Sequence, residues 1–263
     1  MIQPFEAPQL KIERAKRHLQ ELRDEVASFM SREPYFVVCE PVRAPPGFVH
    51  YVGMINESVP TSLSTIIGDV IHNLRTSLDL LACDLVRIAH GETVSLDGVY
   101  FPFCWSESEL PKMIKKRGLD GTGEAVIRAI HACAPYPNGN DGLRAIHDLD
   151  VLDKHQTLIP VLQAISIRPA VASFGKVQYQ LPAVSSKITH NRQLLQAIIA
   201  PMALPVGARV PCDFALLFDE GTVFTGRDII QQLDACVVGV EKTLDLFKSV
   251  VGNSPSGGGV GGS

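Results

Sequence analysis

Two stretches of the chain carry the side chains suited to moving protons and holding phosphoryl groups. Residues 66–85 read IIGDVIHNLRTSLDLLACDL, and within them His72, Arg75 and Asp79 follow at i, i+3 and i+7. That spacing lines three polar groups along one stripe of a helix. Residues 145–162 read AIHDLDVLDKHQTLIPVL and add His147, Asp148, Asp150, Asp153, Lys154 and His155. Histidine transfers protons near neutral pH, and Arg75 or Lys154 would stabilise charge on a phosphoryl group. Asp79 and Asp153 would orient the histidines. If the stripes meet, the chemistry they suit is phosphodiester cleavage in RNA, or the handling of a nucleotide.

Other readings of the same residues stay open. In one, the cluster is a buried ion-pair and hydrogen-bond network that sets helix register in a non-enzymatic, homodimeric binding or interaction protein. In the plainest, Arg75 and Asp79 form a solvated pair worth a few tenths of a kcal/mol, roughly 0.3. His72, His147, Asp150, Asp153 and His155 are acceptable types of metal ligand. They lack a metal-site spacing such as HExxH, and Lys154 stands among them, so no metal and no cofactor is expected.

The elements that must position these groups follow from hydrophobic period. Leu63, Ile66, Ile67, Val70, Ile71, Leu74, Leu78, Leu81, Leu85 and Ile88 predict a helix over 61–90 with one wide apolar face. Thr61 is placed to cap it and Gly91 to stop it. Gly68, Ala82 and Cys83 are small and would admit a neighbour. The second polar stretch reads as a helix over 142–162, with Val151, Leu152, Leu158, Ile159, Val161 and Leu162 as its apolar face and Pro160 as a kink or end. Further helices are expected over 9–31, with Ala15, Leu19, Leu22, Val26 and Phe29, and over 225–251, with Leu233, Val237, Val240, Leu244 and Phe247.

Between the helices the pattern changes to β. Segments 35–40 and 48–55 read as a hairpin around the turn at Pro45-Pro46. Segments 99–104, 164–181, 208–218 and 222–224 also read as extended. Ser106 and Glu109 have capping-box spacing for a polar helix to Lys116. Lys112, Lys115, Lys116 and Arg117 close it as the most basic cluster of the chain, either a solvated helix end or a phosphate contact.

Composition narrows the class. With 263 residues, 46% of them hydrophobic and 20% charged, the chain can bury a real core. A net charge of -4 argues against a wholly basic nucleic-acid coat. No apolar run is long enough for a membrane span, and the first residues lack the core of a signal peptide, so no membrane partner is expected. Six scattered cysteines without a CxxC pair suit reduced thiols in a cytoplasmic protein.

The fold expected is α+β, a four-helix-bundle-like core with inserted β-hairpins and a small antiparallel sheet. It would form one domain over residues 1–252, with 253–263 (NSPSGGGVGGS) as a flexible tail. The paired helices GDVIHNLRTSLDLLA and HDLDVLDKHQTLIPV resemble a group of uncharacterised bacterial and phage-associated proteins with GDxxHNLRxxLD and HxLxxxDKH helices. That resemblance spans about a third of the chain and implies no particular activity. At the level of fold the chain also resembles the HEPN superfamily of helical bundles, many of them ribonucleases with an Arg-x4–6-His motif. The order differs, because His72 precedes Arg75. This resemblance implies RNA or a nucleotide as partner. On the non-enzymatic reading, homo-oligomers would form through helix faces.

Overall fold

The structure is a computed structural model, and the described residues are 3–41, 48–155, 161–167, 170–174, 177–181, 184–187, 192–199, 209–210, 213–219 and 222–252. For residues 39, 41, 48–51, 155, 161–199 and 210 only the backbone is described. The turn at Pro45-Pro46, Gly175, Pro160 and the tail from 253 lie outside the described residues.

The architecture is α+β and mainly helical. The helices are α1 (Glu6–Ser31), α2 (Thr61–His90), α3 (Leu110–Lys116), α4 (Glu124–Cys133), α5 (Asp141–His155) and α6 (Ile229–Gly252). The strands are β1 (Tyr35–Pro41), β2 (Phe48–Ile55), β3 (Val161–Ile167), β4 (Ala170–Phe174), β5 (Val177–Leu181), β6 (Val184–Lys187), β7 (Arg192–Ile199), β8 (Arg209–Val210) and β9 (Asp213–Phe218). The chain divides into two compact units. The first is Met1–Glu21, Ile66–Leu158 and Ile230–Ser263; the second is Leu22–Thr65 and Ile159–Ile229. No helix among the described residues is long and apolar enough to cross a membrane.

The first unit is helical, and its core is the apolar face of α2. Ile66, Ile67, Val70, Ile71, Leu74, Leu78, Leu81 and Leu85 are all buried, while Ile88 emerges at 42% exposure. Gly91 follows at φ 91° and donates to Arg87 O at 2.8 Å, the left-handed stop that glycine permits. Ile12, Ala15 and Leu19 of α1 are buried in this unit, as are Leu233, Val237, Val240, Leu244 and Phe247 of α6.

Among the described residues the second unit holds nine strands in three antiparallel sheets. Their orders are β7-β2-β1-β8, β6-β3-β9 and β4-β5. β1 and β2 form the expected hairpin, running from Tyr35 opposite Ile55 to Pro41 opposite Val49. Its core includes Phe29, Tyr35, Val37, Val52 and Phe218. Tyr35 packs its ring against Phe29 at 5.7 Å and Phe214 at 5.0 Å between centroids.

Several local expectations are corrected. α5 is described as far as His155, and Val161 and Leu162, expected in the helix, open β3, where they pair with Phe218 and Leu217. A proline at 160 removes a helix donor and collides with the carbonyl four residues back, so the helical period cannot be carried across it. Within the shorter helix the buried apolar residues are Leu143, Ala145, Ile146 and Leu149, and Val151 is 41% exposed. Residues 222–224 form a turn in place of a strand, with Thr225 N donating to Thr222 O at 3.2 Å. Ser106 makes no side-chain cap; a 3-10 turn over Glu107–Glu109 precedes α3, and Glu109 Oε2 accepts from Trp105 N at 3.1 Å.

The Tyr35 hydroxyl is buried with no hydrogen-bond partner among the described residues, and burial holds its pKa above the ordinary phenol range. A buried donor left unpaired costs free energy, so its removal should not harm the fold. Tyr35→Phe is expected to be neutral or to stabilise the protein by about 1 kcal/mol in urea unfolding. A loss above about 1.5 kcal/mol would show that the hydroxyl has a partner.

Candidate functional site

The polar stripe of α2 meets α5 inside the first unit, in two groups. The first centres on Arg75, which is 8% exposed. Its guanidinium binds Asp79 one turn on, through Nη1 to Oδ1. Its Nε donates to His147 Nδ1 of α5 at 3.4 Å. Its plane lies over the Phe103 ring, 4.7 Å from the centroid. His147 stacks on the same ring at 4.9 Å and 11°.

Because an arginine only donates, His147 Nδ1 must accept, which places the ring proton on Nε2. Burial lowers the His147 pKa from 6.5 to about 4, and the Arg75 and Arg144 charges add to the shift. The folded state therefore favours the neutral ring. That contribution is whole above pH 6.5 and is lost as pH falls toward 4. Asp79 Oδ1 also accepts from Phe101 N at 2.9 Å. Burial nevertheless raises the Asp79 carboxyl above its usual range, against the pull of Arg75 and of that backbone donor.

The second group centres on Asp150, 5% exposed on α5. Its Oδ1 lies 3.1 Å from His72 Nδ1 and its Oδ2 2.7 Å from Lys154 Nζ. The two side chains it holds are open, His72 at 48% and Lys154 at 45% exposure. With Nδ1–H given to the carboxylate, His72 Nε2 faces outward, 3.5 Å from Thr76 Oγ1. A histidine so held can take or give a proton at its outer nitrogen. Asp153 approaches α2 where Gly68 makes room, since a Cβ there would lie 2.7 Å from Asp153 Oδ1. Burial raises the Asp153 carboxyl pKa, and the Asp150 and Asp69 charges raise it further.

Of the residues named from sequence, Arg75, Asp79 and His147 therefore share one group, and His72 and Lys154 share another through Asp150. Asp153 lies beside Gly68. His155 ends α5, and its side chain lies outside the described residues. Two assigned roles change. Asp79 binds Arg75, and the carboxylate that orients a histidine is Asp150, not Asp153. Nor is the Arg75–Asp79 pair a solvated one, given its burial. Among the described residues no group of three or more His, Cys, Asp or Glu side chains is arranged to hold a metal ion.

Three contributors escaped the sequence reading. Arg144, 5% exposed, grips Asp148 through Nε at 3.1 Å and Nη2 at 2.7 Å. Its Nη1 donates to Cys104 O at 2.8 Å, and Trp105 covers its face at 4.0 Å. Phe103 belongs to a segment that reads only as extended, and Trp105 follows it directly. The i,i+4 spacing of Arg144 and Asp148 was the available signal. Comparison with known proteins returns no matching family model, curated protein or solved structure.

Breaking a buried pair from one side leaves the other charge stranded. Arg75→Met should destabilise the protein by on the order of 3 kcal/mol, and adding Asp79→Leu should restore part of the loss. Urea unfolding of both variants tests this; a single variant within about 0.5 kcal/mol of wild type would contradict the buried assignment.

Proposed function

We propose that the chain handles RNA or a nucleotide, with His72 as its proton-transfer group and Lys154 as its phosphate-facing cation. The observation that carries this reading is the shared carboxylate of Asp150, which holds both while each remains about half exposed. In a ribonuclease reaction His72 Nε2 would withdraw the proton of the ribose 2′-hydroxyl as its oxygen attacks phosphorus; the P–O5′ bond breaks, the departing 5′-oxygen takes a proton from water, and a 2′,3′-cyclic phosphate is left. The ammonium of Lys154 would offset charge on the phosphoryl oxygens. Arg75 is buried and already neutralised, and His147 is uncharged at neutral pH, so both serve the framework. The HEPN-like character and the kinship with the paired-helix bacterial and phage group belong to this proposal.

The bundle-like core belongs to it as well. Its supports are the cross-links Lys16–Glu241 at 2.6 Å between α1 and α6, Lys248–Gln9 at 3.1 Å between the same helices, and Ser77 Oγ to Pro8 O at 2.9 Å between α2 and α1. A cytoplasmic location fits Cys83, Cys104, Cys133 and Cys236, all free thiols. A second reading is favoured by the burial of Arg75 and the depressed pKa of His147. In it the whole cluster is structural and the protein is a homodimeric interaction module.

Purified wild type, His72→Ala and Asp150→Asn incubated with single-stranded RNA separate the two. Loss of the general base should slow cleavage by about 100-fold or more. Loss of its orienting carboxylate should slow cleavage less. Equal cleavage by all three, or none by the wild type, would remove the ribonuclease reading. A dimer in sedimentation with no affinity for RNA or nucleotides would establish the second.

A further inference from the structure

We propose that the outward side chains of the segment 99–105, together with the basic end of α3, form a contact surface for single-stranded RNA. The inference rests on the RNA reading above and extends it to a surface outside the His72 site. Tyr100 and Trp105 flank a buried run, residues 101–104. Phe101 and Phe103 are buried beneath Asp79, Arg75 and His147, while Tyr100 is 46% and Trp105 70% exposed. The Cα atoms of these two residues, five apart in the chain, can be at most about 18 Å from one another. Both are backed by arginine. The Arg117 guanidinium lies 5.1 Å from the Tyr100 centroid, and that of Arg144 lies 4.0 Å from Trp105.

The Trp105 ring is held from behind. Arg144 is fixed by Asp148 and by Cys104 O, and the Trp105 backbone N–H is bound by Glu109. An aromatic face already locked in place loses little freedom when a base stacks on it. Charge supplies the other half of the argument. Lys112, Lys115 and Lys116 are exposed, and Arg117 follows at once. Glu107 and Glu109 are exposed beside Trp105, so the positive character lies at the Tyr100 end. A cationic track for the backbone with aromatic faces for bases is how single strands are bound without sequence preference. A duplex keeps its bases stacked inside and offers them to neither ring.

Trp105 is the only tryptophan of the chain, so intrinsic fluorescence reports on the proposed surface directly. A short single-stranded RNA of mixed sequence should quench that emission, and duplex RNA should do so far less. In anisotropy with a labelled strand, Tyr100→Ala and Lys115→Ala/Lys116→Ala should each weaken binding about tenfold, and added salt should weaken it further. Trp105→Phe should retain most of the affinity that Trp105→Ala loses. Arg128→Ala, which removes an exposed cation of α4, should bind as wild type does. RNA binding with no quenching and no loss in these variants overturns the surface and leaves the RNA reading standing. Absence of binding by any strand overturns both.

Discussion

A guanidinium cannot leave water without partners for its charge and its donors, and in this protein that requirement joins two helices. Arg75 is on the second helix, with 8% of its surface exposed. Asp79 meets its charge from the same helix, His147 accepts from it across the seam, and Phe103 closes its face. None of the three would suffice alone, because burial already works against the ionised carboxylate of Asp79. The order of the segment that carries Phe101 and Phe103 follows, since Asp79 also binds the Phe101 amide.

The seam has a closed end and an open end. At the closed end every charge is matched and the histidine is kept neutral, which suits a framework. At the open end Asp150 is buried while the two groups it holds reach solvent. A carboxylate fixed from behind, with a histidine and a lysine in front, is the arrangement on which the proposed RNA chemistry rests. Gly68 belongs to the same design, because any larger residue would meet the carboxylate of Asp153. Arg144 extends the pattern outward, tying α5 to the segment whose far side carries Trp105.

The long helices were readable because period is a local property. The apolar residues of α2 fix a buried face, and the span 61–90 agrees with the structure at both ends. The extent of α5 was not readable by period alone, since apolar residues continue through 162 although Val161 and Leu162 belong to β3. Proline 160 was the better signal. That His72 meets Asp150, 78 residues away, could not be derived from spacing, and neither could the choice of Asp150 over Asp153. These two carboxylates differ by less than one helical turn, and only packing decides which of them meets His72 and which lies beside Gly68. Phe103 and Trp105 were invisible as site residues because an irregular segment has no period to reveal which side chains turn inward.

The most direct measurement is a nitrogen NMR titration of the histidine rings. If the seam is as described, His147 carries its proton on Nε2, accepts at Nδ1, and takes up a second proton only near pH 4. A His147 that titrates near 6.5 with both ring nitrogens open to water would contradict the account. Arg75 would then lack its partner on the facing helix.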